Sequence, residues 1–326
     1  MTAVLVTGAG GFAGSHLVDL LAGSGLAITG WRRSLTGSRR AEPVEARPDA
    51  SAHQDGPTIT WRAVDLLDGD AVRRALAELR PDTVYHCGGA AHVGHSWTVA
   101  RETLAANVLG THHLLEGLRA SGVSSRVLIP GSSLVYRQSD RALTEDDPIG
   151  PSSPYALSKL AQEMLGRRGL DEDRQQVFLT RSFNHIGPRQ EPSFAAPGFA
   201  RQIAMIEAGR IEPTIEVGNL EASRDLTDVR DTVRAYRDIV ERGRPGVVYN
   251  VCSGRAHRIR EVLDRLIALS RVKVDVRVDP TRYRPSDTPI LLGNPGRLER
   301  ETAWKPAIPL DQTLSDLLDY CRKRVE

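Results

Sequence analysis

A tyrosine and a lysine four positions apart have the spacing that acid–base chemistry requires. Tyr155 and Lys159 follow the pair Ser153-Pro154, which indicates the start of a helix. Both side chains then leave one helical face, one turn apart. An ammonium beside a phenol favours the phenolate, so we expect Lys159 to lower the pKa of Tyr155 from about 10 towards neutral pH. A tyrosine tuned in this way passes a proton to or from a substrate oxygen.

Two serines are predicted to lie beside this pair. Ser132 follows the apolar run 126–130, which predicts a strand, and Ser133 comes next in the chain. Ligands of parallel α/β sheets bind at the carboxyl ends of the strands. We therefore expect the Ser132 hydroxyl to share a substrate oxygen with Tyr155, and Ser133 to contact the substrate or to take that place.

Three glycines near the start of the chain predict a dinucleotide site. Gly8, Gly11 and Gly14 lie three apart, with Phe12 among them, where an apolar strand pattern gives way to a helix pattern. Glycine permits positive φ and close approach to a pyrophosphate, and a helix N-terminus offers unpaired N–H groups. The context therefore predicts that Gly8, Gly11, Phe12 and Gly14 bind the cofactor. A tight turn without a ligand is the alternative.

The end of the second predicted strand indicates which dinucleotide binds. NAD-binding folds place an acid there, but this chain has Arg32 and Arg33. Guanidinium groups suit a 2′-phosphate, so NADP(H) is favoured over NAD(H), the alternative being two solvated arginines. Asp65 and Leu66, after the third strand, are candidates for the adenine site, although an Asp65 that caps the next helix fits equally well.

The elements that must position these residues follow an alternating pattern. Short apolar runs alternate with helical spacing, which predicts an α/β fold with a doubly wound parallel (Rossmann) sheet. The predicted strands are 3–6, 26–31, 59–64, 83–87, 126–130, 177–181, 247–251 and 273–278. The predicted helices are 15–22, 71–79, 100–121, 154–168, 258–270 and 310–322.

The remaining segments predict a loop and a second, smaller part of the chain. Residues 36–57 are rich in Ser, Pro and charge without a period, which predicts a long loop. Residues 1–181, with 228–254 returning to them, are assigned to a dinucleotide-binding domain. Residues 182–227 and 255–326 are assigned to a C-terminal α/β substrate lobe.

Composition argues against several classes of partner. The 326 residues carry 43 Lys and Arg against 41 Asp and Glu, a net charge of +2, which favours neither nucleic acid nor a membrane surface. No apolar stretch approaches the roughly 20 residues that span a bilayer, and no leader pattern precedes the first strand. Cys87, Cys252 and Cys321 are widely separated, which favours a reducing cytoplasm and no metal centre.

The glycine motif at 7–14, Ser132 and the run 155–159 resemble the extended short-chain dehydrogenase/reductase family of nucleotide-sugar enzymes. The resemblance spans nearly the whole chain. Segments 131–136, 143–146, 181–188, 217–222, 224–231 and 284–287 are most similar to members that reduce a GDP-linked keto sugar. The resemblance implies NADP(H)-dependent reduction of the 4-keto group of GDP-4-keto-6-deoxy-D-mannose to GDP-D-rhamnose. It also implies that Tyr155 donates the proton and that Lys159 holds the cofactor ribose.

The same resemblance implies the substrate contacts. Asn184 and Arg224 are expected to contact the nucleotide sugar, with Arg224 on the diphosphate and Arg284 as a further candidate. An ion pair of Arg224 with Asp225 or Asp228 is the alternative. Family members commonly form homodimers through two helices, here 104–118 and the helix after Tyr155.

Leu134 separates the chemistries that the resemblance allows. Related dehydratases carry a glutamate at this position to eliminate water, and leucine cannot move a proton. Reduction and 4-epimerisation need only hydride exchange and a tyrosine proton. The alternatives are therefore a nucleotide-sugar 4-epimerase with tightly bound NAD, and a non-catalytic dinucleotide-sensing regulator. Asn107 resembles a family asparagine that supports an active-site water chain, an ordinary buried amide being the other interpretation.

Overall fold

The structure, a computed structural model, describes residues 2–33, 59–171, 175–279, 281 and 288–325. The loop predicted at 36–57 and the candidate Arg284 lie outside the described residues. Within the described ranges, none of the helices combines the length and the apolar composition that crossing a bilayer requires.

A parallel sheet of seven strands forms the centre of the fold. Its strands are β1 Ala3–Thr7, β2 Ala27–Arg32, β3 Thr60–Ala63, β4 Thr83–His86, β5 Arg126–Ser132, β6 Gln176–Ser182 and β10 Val248–Val251. Their order is β10-β6-β5-β4-β1-β2-β3, and every pair is parallel. The order reverses at β1, so the doubly wound fold predicted from the sequence is confirmed.

Helices cover both faces of this sheet because successive strand residues point to opposite sides. One face packs on α1 Phe12–Ala22 and α7 Val229–Arg242, and the other on α2 Gly69–Leu79, α4 Gly110–Ala120 and α5 Pro154–Asp171. In β1, Val4 and Val6 enter the first core, whereas Leu5 enters the second. This alternation buries the inner strands on both faces, as is usual for a parallel sheet, whereas the edge strand β3 stays largely exposed.

The helix predicted at 100–121 is interrupted by a wider turn. It consists of α3 Ala100–Leu104, a π-helical segment Ala105–Leu109 and α4. A π turn holds one more residue than an α turn, and such turns are frequent at functional sites. Asn107 lies inside this turn and is fully buried.

A second core lies outside the large sheet. Its elements are β7 Asn184–Ile186, α6 Ala195–Glu207, β8 Thr214–Val217, β9 Ser223–Asp228, β11 Ala256–Arg258, α8 Ile259–Ala268, β12 Asp275–Val278, β13 Ile290–Leu291 and α10 Leu310–Val325. Strand β9 pairs with β7, β11 and β13, and β12 pairs with β8. The prolines of this region hid α6 from sequence analysis, but Pro197 lies in its first turn, where proline leaves no helical bond unmade.

The last part of the chain also returns to the large sheet. Leu298 of α9 Gly296–Thr302 and Trp304 are buried in the core that contains α1 and α7. The Trp304 indole donates to the carbonyl oxygen of Asp231 over 3.0 Å. The division of the chain into two domains stays a prediction. Leu298 and Trp304 were assigned to the substrate lobe, but they pack in the core of the large sheet.

A buried ion pair joins α5 to the sheet. The Arg181 guanidinium on β6 donates from Nε and Nη2 to the two carboxylate oxygens of Glu163, each over 2.9 Å. Their side chains are only 5% and 2% exposed. A bidentate pair in this environment fixes both distance and orientation, so it sets where α5 lies relative to β6.

Breaking this pair is expected to destabilise the fold. Arg181→Met leaves the Glu163 carboxylate buried without its bidentate partner, and we expect the free energy of unfolding to fall by about 3 to 5 kcal/mol. Arg167→Met is the matched control, because Arg167 bonds the same carboxylate from a 44% exposed position and exposed pairs contribute about 0 to 1 kcal/mol. Urea denaturation measures both, and equal losses would contradict the assignment.

Candidate active site

The start of α5 fixes the position of Tyr155. The Ser153 hydroxyl accepts the N–H of Ala156 over 3.1 Å, as a helix cap does, and Pro154 occupies the first helical position. The Tyr155 N–H donates to Ser96 Oγ over 3.2 Å, which ties this turn to the segment after β4. Tyr155 and Lys159 therefore stand one turn apart, as the sequence predicts.

The end of β5 brings Ser132 to the Tyr155 phenol. Ser132 is the last residue of β5, and its Oγ accepts the N–H of Leu134 over 3.2 Å. Ser132 lies close enough to Tyr155 for its hydroxyl to act on the titration of the phenol. Burial raises the pKa of Tyr155, and the neighbouring Ser132 hydroxyl only partly offsets this. The expectation that Lys159 lowers the pKa of Tyr155 below its usual value is wrong, because desolvation of the phenol is the largest effect and raises this pKa.

Lys159 is itself strongly affected by burial. Desolvation lowers its pKa from 10.5 to about 8, and the nearby Cys87 opposes this only weakly. Its ammonium donates to the side-chain oxygen of Gln162, one turn further along α5. The lysine thus points to a neutral acceptor within its own helix.

The glycine turn after β1 is packed so closely that side chains are excluded. Gly8 has φ +63°, and a Cβ there would lie 2.7 Å from Gly88. A Cβ on Gly14 would lie 2.2 Å from the Gly8 oxygen. Gly11 precedes α1 and provides no side-chain cap, so N–H groups of the first turn are left for a ligand. These residues fit the pyrophosphate of a dinucleotide.

An aromatic stack flanks this turn. Phe12, the first residue of α1, stacks on His185 with ring centroids 5.6 Å apart and an angle of 11°. Because His185 lies on β7, the stack joins the glycine turn to the second core of the molecule.

The end of β2 presents Arg32 beside an aromatic ring. The Arg32 guanidinium lies 5.2 Å from the ring centroid of Trp61, which is on β3. The buried Nε atom of Arg32 finds no partner among the described residues. A donor left unpaired in this position fits the 2′-phosphate of NADP(H). Arg33 follows at the last described residue of this segment.

In the turn between β3 and α2, the helix cap is a different aspartate from the one considered in the sequence. The cap of α2 is Asp68, whose carboxylate accepts the N–H of Ala71 over 2.9 Å, so the interpretation of Asp65 as that cap is wrong. Asp65 instead accepts the N–H of Leu67 over 3.0 Å. The Leu66 oxygen is held by a His113 ring nitrogen at 2.8 Å.

The candidate substrate-binding residues differ in their exposure to solvent and in their hydrogen bonds. Asn184 is exposed on β7, and Ser133 is buried at 2% exposure in the turn that follows β5. Arg224 on β9 donates to the carbonyl oxygens of Ser223 and Thr288 over 2.9 and 2.7 Å. Its neighbour Asp225 accepts bonds from the backbone and side chain of Ser253 and from Gly254 and Gly293.

Residues around the site hold its helix in place. Asn107, which the family resemblance singled out, donates to Ser158 Oγ over 2.8 Å and exchanges two hydrogen bonds with the backbone of Ala90, joining the π turn to α5 and to the loop after β4. Gln162, which accepts a hydrogen bond from Lys159, was not predicted, and its position three residues after Lys159 is the one signal of this contact in the sequence. In the part of the chain that the structure describes, no cluster of three or more His, Cys, Asp or Glu residues is arranged to hold a metal.

A glycine turn, a strand-end serine and a Tyr-Lys helix are the features of extended short-chain dehydrogenases/reductases. Residues 5–317 match the family model of GDP-mannose 4,6 dehydratase, and the chain belongs to this family. The resemblance predicted from the sequence is therefore confirmed, and the protein is an enzyme of this type.

Three relatives are similar to this chain over nearly its whole length. A GDP-6-deoxy-D-mannose reductase of Pseudomonas aeruginosa is 36% identical over 325 residues, covering 99% of this chain and 98% of the relative. The structure of RMD from Pseudomonas aeruginosa complexed with NADPH is 32% identical, with a TM-score of 0.82 over 99% of this chain and 100% of the other. A UDP-glucose 4-epimerase of Thermus thermophilus in complex with NAD is 28% identical, with a TM-score of 0.83 over 98% of this chain and 99% of the other.

Removing the buried amine is expected to stabilise the protein. Folding lowers the Lys159 pKa from 10.5 to about 8, so the unfolded chain binds more protons between these values and stability rises with pH there. We expect Lys159→Met to raise the free energy of unfolding at pH 7 by at most about 3 to 4 kcal/mol, at about 1.4 kcal/mol per pKa unit. The gain should shrink above pH 8 and vanish near 10.5.

Urea denaturation at neutral and alkaline pH measures this gain. The exposed Lys305, replaced by Met, is the control and should change stability little at either pH. A Lys159→Met protein that is less stable than the parent at pH 7 would refute the desolvation argument.

Proposed function

We propose that the protein reduces the 4-keto group of GDP-4-keto-6-deoxy-D-mannose with NADPH, giving GDP-D-rhamnose. The observation that carries this proposal is the placement of Tyr155 beside Ser132 at the end of β5, with Lys159 one turn away on α5 and leucine at position 134. The 36% identity to a GDP-6-deoxy-D-mannose reductase supports the choice of substrate.

NADPH is the cofactor that the residues fit. Gly8, Gly11 and Gly14 would hold the pyrophosphate, and Arg32 with Arg33 the 2′-phosphate. The relative solved with NADPH supports this assignment. When bound, NADPH supplies the hydride that goes to the keto carbon.

Tyr155 acts as the proton donor in this reaction. Because burial raises its pKa, the phenol is protonated at neutral pH, which a donor requires. Ser132, beside it at the end of β5, orients the keto oxygen towards the phenol. Lys159 holds the cofactor ribose and, when protonated, stabilises negative charge that develops on the tyrosine.

Leu134 argues for reduction against dehydration. Its side chain packs against the apolar cluster formed by Tyr136, Leu143, Phe183 and Leu291. A leucine in this cluster has no group that could take the sugar proton which elimination of water requires.

The substrate's nucleotide end is assigned to Asn184, Arg224 and Arg284, with Ser133 near the sugar. The Arg224 guanidinium carries the charge that a diphosphate needs. Three apolar side chains near or on α5, Leu109, Leu157 and Met164, are 48 to 51% exposed. We propose that these faces pair in a homodimer, and that the protein works in the cytoplasm, where its unpaired cysteines stay reduced.

Incubation with GDP-4-keto-6-deoxy-D-mannose tests the function directly. We expect loss of NADPH absorbance in proportion to substrate, and a product whose NMR couplings identify GDP-D-rhamnose. Interconversion of UDP-hexoses by protein that retains NAD, without net NADPH use, would identify a 4-epimerase instead. Cofactor binding without turnover of either substrate would identify a dinucleotide-sensing regulator.

Tyr155→Phe is the matched control for this assay. It keeps the ring and removes the transferable proton, so we expect kcat to fall by roughly 10² to 10⁴. NADPH should still bind with near-parental affinity. Turnover within twofold of the parent would remove Tyr155 from the reaction.

The cofactor preference has its own test. Replacing Arg32 and Arg33 with Ala removes charge-assisted bonds worth about 1.5 to 3 kcal/mol each, so KM for NADPH should rise at least tenfold while KM for NADH stays unchanged. Arg62→Ala is the control, because Arg62 lies on the adjacent strand and already pairs with Glu78 at 2.8 Å. An unchanged preference in the double variant would overturn the assignment.

A further inference from the structure

A line of hydrogen-bonded, mostly buried side chains begins at Lys159. The Lys159 ammonium donates to Gln162 Oε1. Gln162 Nε2 in turn donates to the hydroxyl of Thr111 over 2.8 Å. Gln162 is 1% exposed and Thr111 is fully buried, so neither bond is open to water.

The line continues to the glycine turn. The Thr111 hydroxyl lies 3.0 Å from Nε2 of His86, at the end of β4, and Nδ1 of His86 lies 2.8 Å from the hydroxyl of Thr7, at the end of β1. Thr7 also accepts the N–H of Gly88 over 3.0 Å. The line therefore joins α5 to the two strand ends that enclose the glycine turn.

The direction of each hydrogen bond in the line is determined. The Thr111 hydroxyl donates its one proton to the Asn107 oxygen over 2.6 Å, so it accepts from both Gln162 and His86. His86 must then carry its proton on Nε2 and accept from Thr7 at Nδ1. Burial lowers the pKa of His86 to about 3, so this neutral form persists at all working pH values.

Such a line is a support and not a proton wire. An amide such as Gln162 has no labile form that relays protons between Lys159 and Thr111, and every donor in the line is already assigned. Its components are held in place because a buried polar group that loses its partner is left desolvated and unsatisfied. The position of the amine is thereby coupled to the position of the glycine turn.

We propose that Gln162 is a positioning residue that holds the Lys159 amine and ties it, through Thr111 and His86, to Thr7 at the cofactor turn. The inference rests on the proposed role of Lys159 in binding the cofactor. A neutral acceptor fixes the direction of the amine and leaves its charge uncompensated for the ligand. A carboxylate in its place would hold the amine equally well but would cancel that charge.

Direct titration of Lys159 tests the proposal without any assay of turnover. The chain has only four lysines, at 159, 273, 305 and 323. In protein labelled with ¹³C at lysine Cε, Lys159→Met identifies the Lys159 signal, and its shift against pH gives the Lys159 pKa. Gln162→Glu and Gln162→Leu are compared with the parent, and Gln175→Glu makes the same change at another buried glutamine.

The two Gln162 variants are expected to move the pKa of Lys159 in opposite directions. Glutamate adds an opposite charge and should raise it by about 1 to 3 units, whereas leucine removes a hydrogen bond to the charged form and should lower it. The alkaline limb of the kcat profile should move with it, and KM for NADPH should rise at least threefold in Gln162→Leu. Gln175→Glu should leave the titration unchanged.

The outcomes separate this proposal from the proposed function. A Lys159 midpoint that moves by less than about 0.3 units in both Gln162 variants, or in the one that folds, overturns the positioning role. Opposite shifts in a protein that reduces no keto sugar would keep the positioning role and reject the substrate. A shift of the same size in Gln175→Glu would show a general effect of destabilisation and would also overturn the proposal.

Discussion

The position of α5 against the strand ends is the constraint on which the site depends. Bonds to Ser96, to the π turn through Ser158, and to β6 through Glu163 hold this helix at three points along its length. None of these bonds uses the reactive side chains of Tyr155 or Lys159. The scaffold therefore sets where the phenol and the amine lie, and it leaves their polar atoms available for chemistry.

The electrostatic character of the site follows from burial more than from pairs of opposite charges. Desolvation raises the pKa of Tyr155 and of Cys87, the latter to about 12, and it lowers that of His86 to about 3. At neutral pH the groups around the Lys159 ammonium are thus uncharged. A cation in a neutral shell leaves its charge for an incoming ligand to compensate, as the proposed role of Lys159 requires.

Much of the fold was predictable from periodicity, because buried parallel strands and the glycine turn have local signals. The helix α7 was not predicted, although its buried residues Val229, Val233 and Tyr236 follow helical spacing, and the π turn has no signal in composition. The pairing of Ser132 with Tyr155 followed from their places at a strand end and a helix start. The raised pKa of Tyr155 did not, because burial is decided by residues distant in sequence, and the same holds for the line from Gln162 to Thr7.

The π turn at 105–109 also rotates the second half of a continuous helix, which runs from α3 to α4, about the helix axis. An α-helix advances by about 100° per residue, so one additional residue rotates everything that follows by nearly a third of a revolution. Before the π turn, α3 packs on α5; after it, α4 packs mainly on α2. Deletion of a single residue here would turn the apolar face of α4 away from α2. The side chains of the candidate active site would all still be present, but this helix would be packed incorrectly. The length of this segment, independent of its composition, is therefore part of what specifies the enzyme.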